Sequence, residues 1–260
     1  MRDTPWRRGP RRDGGKRDVA YASSAIGADR SGYLLPVRPE LTVGRPAEAG
    51  VVMKIGIIGS GHIGGTLTRR LSSLGHDITV ANSRGPQSLT DLAQETGAKA
   101  GTLEQAAQDA ELVIVAIPLL AVPGIPAELF DGKVVVDANN YYPQRDGDIA
   151  ELLDRSLSSS RWTAEHLKGA RVVKAFNNIQ AQHLMDNGRP AGAPDRIALP
   201  IAADDAEAKQ LVMGVVDSLG FDPVDAGTLD ESWRQQPDTP VYGTDRDADG
   251  VRQGLAEARP

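Results

Sequence analysis

Residues 53–84 read MKIGIIGSGHIGGTLTRRLSSLGHDITVANSR: a strand, a glycine turn, a helix and a second strand. Lys54 to Ile58 is a short apolar run with β-branched residues, as expected of a buried parallel strand. Gly59-Ser60-Gly61-His62-Ile63-Gly64 fits G-x-G-x-x-G. The first glycine permits a tight turn, the second lets backbone approach a pyrophosphate, and the third lets the helix pack closely on the strand. A helix starting near His62 puts Ile63, Leu67, Leu71 and Leu74 on one face, with Gly75 just past its end. Its N-terminus would aim unpaired N–H groups and a partial positive charge at phosphate. A lone glycine motif is weak evidence. Set between two strands at this spacing, it predicts a bound dinucleotide.

The end of the second strand, Asp77 to Ala81, bears on which dinucleotide. NAD sites usually place a carboxylate there, bonding the ribose 2′-hydroxyl. Here the chain has Asn82-Ser83-Arg84 and no carboxylate. A hydroxyl and a guanidinium would bind a 2′-phosphate through charge-assisted hydrogen bonds, whereas a carboxylate would repel it. The residues therefore favour NADP over NAD. The alternative is that Arg84 is simply a solvated loop arginine.

With 40% hydrophobic and 25% charged residues among 260, the chain is an ordinary globular sequence with enough length for one substantial core. A net charge of −6 argues against a nucleic-acid footprint. The absence of cysteine excludes disulfides, thiolate catalysis and Cys-based zinc sites. No apolar run reaches the length of about 18 that suggests a membrane span. We expect no nucleic-acid partner, no membrane partner and a cytoplasmic location. Residues 1–52 carry net +4 and the remainder net −10. That first stretch, with RRGPRRDGGKR and no periodicity, reads as a disordered extension. It lacks the apolar region of a secretory signal, and Met53 is a candidate alternative start.

Further along, helices are expected over Pro86–Thr96, after the capping box Thr102–Gln105, over Ile149–Leu157, Thr163–Leu167, Asp204–Leu219 (capped by Asp204), Leu229–Gln235 and Val251–Ala258. Strands are expected at Ala98–Gly101, Leu112–Ile117, Val134–Asp137, Val172–Phe176, Ile197–Ala202 and Asp222–Asp225. Pro123 and Pro126 should break any helix in Leu119–Phe130. Ser158-Ser159-Ser160 reads as a weak break. Asn187–Asp195 is a Gly/Pro loop, either a lid or a connection. Asp245–Gly250 resembles half of a calcium loop, but lacks the closing Glu, so it reads as an acidic helix cap with no metal site. The alternation predicts an α/β, Rossmann-type doubly wound, mostly parallel sheet over residues 53–260. A small C-terminal α/β extension would begin at about 180.

In such folds ligands lie at the carboxyl ends of the strands. Gly59–Gly64 and Asn82–Arg84 would hold the pyrophosphate and the 2′-phosphate. Ala116-Ile117-Pro118, Asn139-Asn140 and Ala175 to Asn178 would surround the nicotinamide. Each asparagine could bond a carboxamide or ribose, or merely turn the chain. No acid–base pair is apparent and no catalytic side chain is identified. His62 would touch phosphate or ribose, His76 and His166 look like surface residues, and His183 is a candidate to face the cleft. That absence suits direct hydride transfer between two redox groups held face to face, where proximity does most of the work.

These segments together resemble the NADPH-dependent coenzyme F420 reductase family. The matching stretches are IGIIGSGHIGGTL, NSR, VIVAIP, VVVDANNYYP, RVVKAFNNI and LGFDPVDAGTLDESW, spanning residues 53 to about 235. The domain is also similar to the cytosolic portion of the six-transmembrane metalloreductases. The resemblance implies NADP contacts from Ser60, His62, Ile63, Ser83, Arg84, Ile117, Pro118 and Ala175. It implies hydride exchange between NADPH and F420, with F420 between the strand ends and DAGTLDESW. A flavin, a ferric chelate or a small carbonyl compound are alternative acceptors, and a non-catalytic NADP(H) redox sensor is the alternative class. Oligomeric state is not readable from the residues, though members of the family are often homodimers.

Overall fold

The computed structural model describes residues 52–259. Apart from Val52, the N-terminal extension read as disordered lies outside them. The described residues form one eight-stranded sheet: β1 Lys54–Ile58, β2 Asp77–Ala81, β3 Lys99–Ala100, β4 Leu112–Val115, β5 Val134–Asp137, β6 Arg171–Lys174, β7 Ala198–Ala203 and β8 Asp222–Asp225, in the order β3-β2-β1-β4-β5-β6-β7-β8. Neighbours run parallel except β6 and β7, which are antiparallel at Val173↔Ala203 and Lys174↔Ala202. The expected doubly wound, mostly parallel fold is present, and β7 and β8 continue the same sheet. Among the described residues no helix is long and apolar enough to cross a membrane.

The central strands are apolar on both faces because both faces are covered. On one side Ile57, Ile114 and Val136 join Leu67 and Leu71 of α1 (His62–Ser73) and Val212 and Val216 of α8 (Ala206–Ser218). On the other, Val113, Val115 and Val135 meet Ala107 of α3 (Leu103–Gln108), Phe130, and Trp162 of α6 (Ser159–His166). The period of two along each strand thus separates two cores. Leu74, assigned from its spacing to the buried face of α1, is instead 44% exposed, because it caps the helix and Gly75 turns the chain with φ +88°.

Several boundaries differ from the sequence expectation for physical reasons. The strand expected to reach Ile117 stops at Val115, and β3 keeps only two of its four residues. The segment 149–157 holds only the single turn α5, Ala150–Leu153, preceded by α4, Pro143–Asp146. The serine run read as a break is a helix start: Ser158 accepts a hydrogen bond from the Arg161 N–H and caps α6. Residues 230–235 form a 3-10 rather than an α-helix, and α7, Ala181–Asp186, was not expected. The Thr102–Gln105 capping box forms in both directions, and Asp247 caps α9, Ala248–Glu257, through the Gly250 N–H. Residues 119–124 and 127–130 are separate 3-10 turns, as the prolines require.

The cap of α8 is Asp205, not Asp204. Asp205 accepts from the Ala208 N–H at 2.8 Å and holds Arg171 in two bonds at 2.7 Å. Asp204 instead accepts from the Leu229 N–H and pairs with Arg161. The Arg171 guanidinium, followed by the backbone N–H of Ala208, lowers the Asp205 pKa. A depressed carboxylate stabilises the fold above its unfolded pKa, near 4, and loses that contribution as pH falls through the folded value. Asp205→Ala should therefore lower the melting temperature at pH 7. The gap from the parent should close in strong acid, as followed by circular dichroism. A gap that stays constant with pH would contradict this.

Candidate functional site

The sheet order reverses between β1 and β4, with β2 and β3 on one side and β5 and β6 on the other. At such a switch point the strand ends part, and the N-terminus of α1 enters the crevice. The turn is pulled tight by the Gly59 N–H donating to the Ala81 carbonyl at 2.8 Å. Gly59 sits at φ +108°, and a Cβ there would lie 2.1 Å from the Ala116 carbonyl oxygen. A Cβ on Gly64 would lie 2.0 Å from the Gly59 oxygen. These two positions belong to the fold. Gly61 differs, because a Cβ there would meet nothing within 4 Å. It caps α1 without a side chain, and the first turn holds no acidic residue. Backbone N–H groups therefore face an open cradle shaped for an anion.

Two cavities flank this cradle and share Gly61, Ala116, Ile117 and Pro118. The first, about 460 Å³, reaches Ser60, Asn82, Ser83 and Arg84. The second, about 380 Å³, reaches His62, Ile63, Asn139, Tyr142, Asn177 and Tyr242. They form one groove running over the helix N-terminus.

Asn82 organises the first end. Its amide donates to the Ser60 hydroxyl at 2.9 Å and the Ser88 hydroxyl at 3.0 Å, while its oxygen accepts from the Arg84 N–H at 2.9 Å. One side chain thereby ties the glycine turn to the loop after β2. Ser83 and Arg84 are exposed, and the Arg84 guanidinium has no ion pair among the described residues. Asn139 organises the other end. Its oxygen accepts from the Ile117 N–H at 2.8 Å, and its buried amide nitrogen has no partner among the described residues. An orphaned buried donor is costly, by about 1–3 kcal/mol, unless a ligand accepts from it. The open Gly61 cradle and the unused Asn139 donor fit a dinucleotide laid along the groove.

Most of the residues expected at the site converge. Ala175 does not: it is fully buried in the core and lines neither cavity. Phe176, the end of the strand as read from sequence, has φ +63°, and this bend turns Asn177 toward the groove. The Asn177 amide donates to the Gln235 carbonyl at 2.7 Å. Asn140 donates to the Asn177 carbonyl, so part of the asparagine cluster holds the chain together. His183 pairs with Asp245, and His166 packs tilted against Trp162, outside the groove. None of residues 225–233 lines either cavity. Trp233 borders a separate cavity of about 400 Å³ with Arg155 and Asp238. The DAGTLDESW segment expected to hold the acceptor lies elsewhere. Among the described residues no three His, Asp or Glu side chains gather to hold a metal ion.

Two features escaped the sequence reading. Under Asn139 lies a fully buried ion pair, Lys174–Asp137, at 3.2 Å. Asp137 also accepts from Ser160 at 2.6 Å and from the Asn139 N–H at 3.0 Å, while Lys174 donates to the Asn139 carbonyl at 2.5 Å. Burial pulls the Lys174 ammonium below its usual pKa, and Asp137 offsets part of that. The available signal was a charged residue ending each of two adjacent valine runs, VVVD and RVVK. The second feature is the contact between the Tyr142 and Tyr242 hydroxyls, 100 positions apart, for which the sequence carries no local signal. Arg145 lies over the Tyr142 ring at 4.9 Å and is held by Asp146. Burial resists ionisation of Asp146, but Arg145 and the Tyr142 N–H outweigh it and keep the pKa low.

The fold and groove define a dinucleotide-binding protein of the Rossmann class. Residues 54–141 match the family described as NADP oxidoreductase, coenzyme F420-dependent, and the chain belongs to that family. It is 28% identical over 215 residues to the F420-dependent NADP reductase of Methanothermobacter marburgensis, covering 73% of this chain and 90% of that one. It is 31% identical over 178 residues to metalloreductase STEAP3 of Rattus norvegicus, covering 68% of this chain. The chain spans only 34% of that protein's length, and 48% of a further curated relative from Escherichia coli. Among solved structures, the hypothetical protein SMa0349 of Sinorhizobium meliloti superposes with a TM-score of 0.65 at 32% identity, over 75% of this chain and 95% of that one.

Proposed function

We propose that this chain moves hydride between NADP(H) and coenzyme F420 or a similar two-electron acceptor. The observation that carries the reading is the groove running from Arg84, across the Gly61 cradle, to the Asn139 amide, neither of which has a side-chain partner among the described residues. Ser83 and Arg84 would take the 2′-phosphate, the first turn of α1 the pyrophosphate, and Asn139 the nicotinamide carboxamide. Asn82 positions the first of these groups, and the Lys174–Asp137 pair positions Asn139. When bound, NADPH supplies the hydride. Ile117 and Pro118, shared by both cavities, give an apolar wall that excludes water from the reacting carbon. F420 as the acceptor is supported by the methanogen relative, an F420-dependent NADP reductase, and by the family. A second reading, reduction of a flavin or ferric chelate, is supported by the metalloreductase match.

The test follows the F420 absorbance band with NADPH and, beside it, with NADH. Bleaching with NADPH alone is expected. Binding of NADPH without bleaching would remove F420 and turn the search to flavins, ferric chelates or a sensor role. Arg84→Ala should weaken NADPH binding about 10–100-fold, the value of a charge-assisted hydrogen bond or two. NADH binding should change less than about 2-fold, because no 2′-phosphate is lost. Equal loss for both would sink the assignment of Arg84 to the 2′-phosphate.

A further inference from the structure

We propose that Tyr142 and Tyr242 form the acceptor-binding corner of the groove, donating a hydrogen bond to an oxygen or nitrogen conjugated with the carbon that receives hydride. This rests on the reading above, that hydride leaves NADPH in this groove.

Both rings line the cavity on the far side of the Gly61 cradle from Arg84, together with Asn139 and Pro118. A hydrogen count then restricts what they can do. Each phenol has one O–H. One is used in the bond between the two hydroxyls, and the other has no acceptor among the described residues. One donor is left beside the groove. Arg145 fixes the Tyr142 ring from its face and is itself held by the Asn140 carbonyl at 2.7 Å and by Asp146. The corner is therefore set before any ligand arrives, as effective electrostatic stabilisation requires. Burial, and then the bond with Tyr142, push the Tyr242 phenol well above its ordinary pKa. It stays neutral at working pH and acts as a donor rather than an anion.

The chemistry balances without another reagent. Hydride brings two electrons to the electrophilic carbon of the acceptor. The displaced π pair moves along the conjugated system to the oxygen or nitrogen. The tyrosine O–H stabilises the charge gathered there, and a proton from water completes the reduced acceptor. The acceptor class this selects is a flavin-like or deazaflavin ring, or an enone. A ferric ion takes one electron and presents no such atom, so the corner would do nothing for it.

Tyr142→Phe and Tyr242→Phe, singly and together, test this in the full chain. NADPH affinity, read by nicotinamide fluorescence, should stay within about 2-fold, since no group assigned to NADP is touched. The dissociation constant of oxidised F420, read by its own fluorescence without NADPH, should rise, and kcat/KM with F420 should fall about 10–100-fold, the loss of one hydrogen bond to a group left unpaired. Riboflavin is run in parallel. A wild-type protein that ignores F420 but reduces riboflavin corrects the acceptor, and the same loss in the variants on riboflavin still supports the corner. Variants that bind NADPH normally and match wild type in acceptor affinity and turnover overturn the tyrosine role alone. If wild type reduces neither acceptor, both readings fall.

Discussion

Replacing Lys174 with methionine is expected to cost about 3–5 kcal/mol of folding stability, the usual penalty for breaking a buried ion pair. Both partners are fully buried, so removing one charge leaves the other in a low-dielectric core without its counter-ion. Native domains are stable by only about 5–15 kcal/mol, so a loss of this size should be plain in a urea melt. Adding Asp137→Asn should recover part of it, because the orphaned charge disappears while the amide oxygen still accepts from the Asn139 N–H and the Ser160 hydroxyl can turn to accept from the new amide NH2. A single variant costing less than about 1 kcal/mol would mean that the pair is not energetically coupled. The same substitution also releases the Asn139 carbonyl from its lysine donor. NADPH affinity should therefore fall at denaturant-free conditions where the variant is still folded. Unchanged affinity would leave the pair a structural role only.

That pair also shows what could be read from the chain and what could not. The elements set by local rules were legible: the apolar runs of β1, β4 and β5, the Thr102–Gln105 capping box, and the glycine turn into α1. Each depends on residues within a few positions of one another. Groups gathered by the sheet from distant positions were not. Asp137 and Lys174 meet because β5 and β6 pair in a register that sets those two residues side by side, and register is a tertiary property. Tyr242 reaches Tyr142 only after β7 and β8 have extended the sheet and the chain has doubled back. Ala175 illustrates the opposite error. Its place in VKAFN suggested a cofactor contact, but β6 ends at Lys174 and the left-handed Phe176 turns Asn177, not Ala175, toward the groove. Asp204 is the cap expected from sequence, but Asp205 caps the helix while holding Arg171 of β6, a partner 34 residues away.

The glycine turn gives the sharpest separation of folding from binding. Gly64→Ala should destabilise the protein by about 3 kcal/mol or more, since its Cβ would sit 2.0 Å from the Gly59 carbonyl oxygen, and backbone cannot swing away as a side chain can. Gly61→Val should leave the melting temperature nearly unchanged. Its φ of −72° and ψ of −163° suit any residue, and the new side chain meets no protein atom near its Cβ. What it fills is the cradle in front of the α1 N-terminus. If the pyrophosphate lies there, the valine costs two or more charge-assisted hydrogen bonds, each worth about 1.5–3 kcal/mol, so NADPH affinity should fall by more than about 100-fold. NADH should suffer the same loss, because both dinucleotides share the pyrophosphate, and this contrasts with the selective effect of Arg84→Ala. Thermal melts with and without NADPH read both quantities in one experiment. A Gly61→Val protein that melts like wild type and still gains the full NADPH shift would place the cofactor somewhere other than this turn. One that loses the shift while Arg84→Ala loses it for NADPH alone would fix both ends of the dinucleotide in the groove.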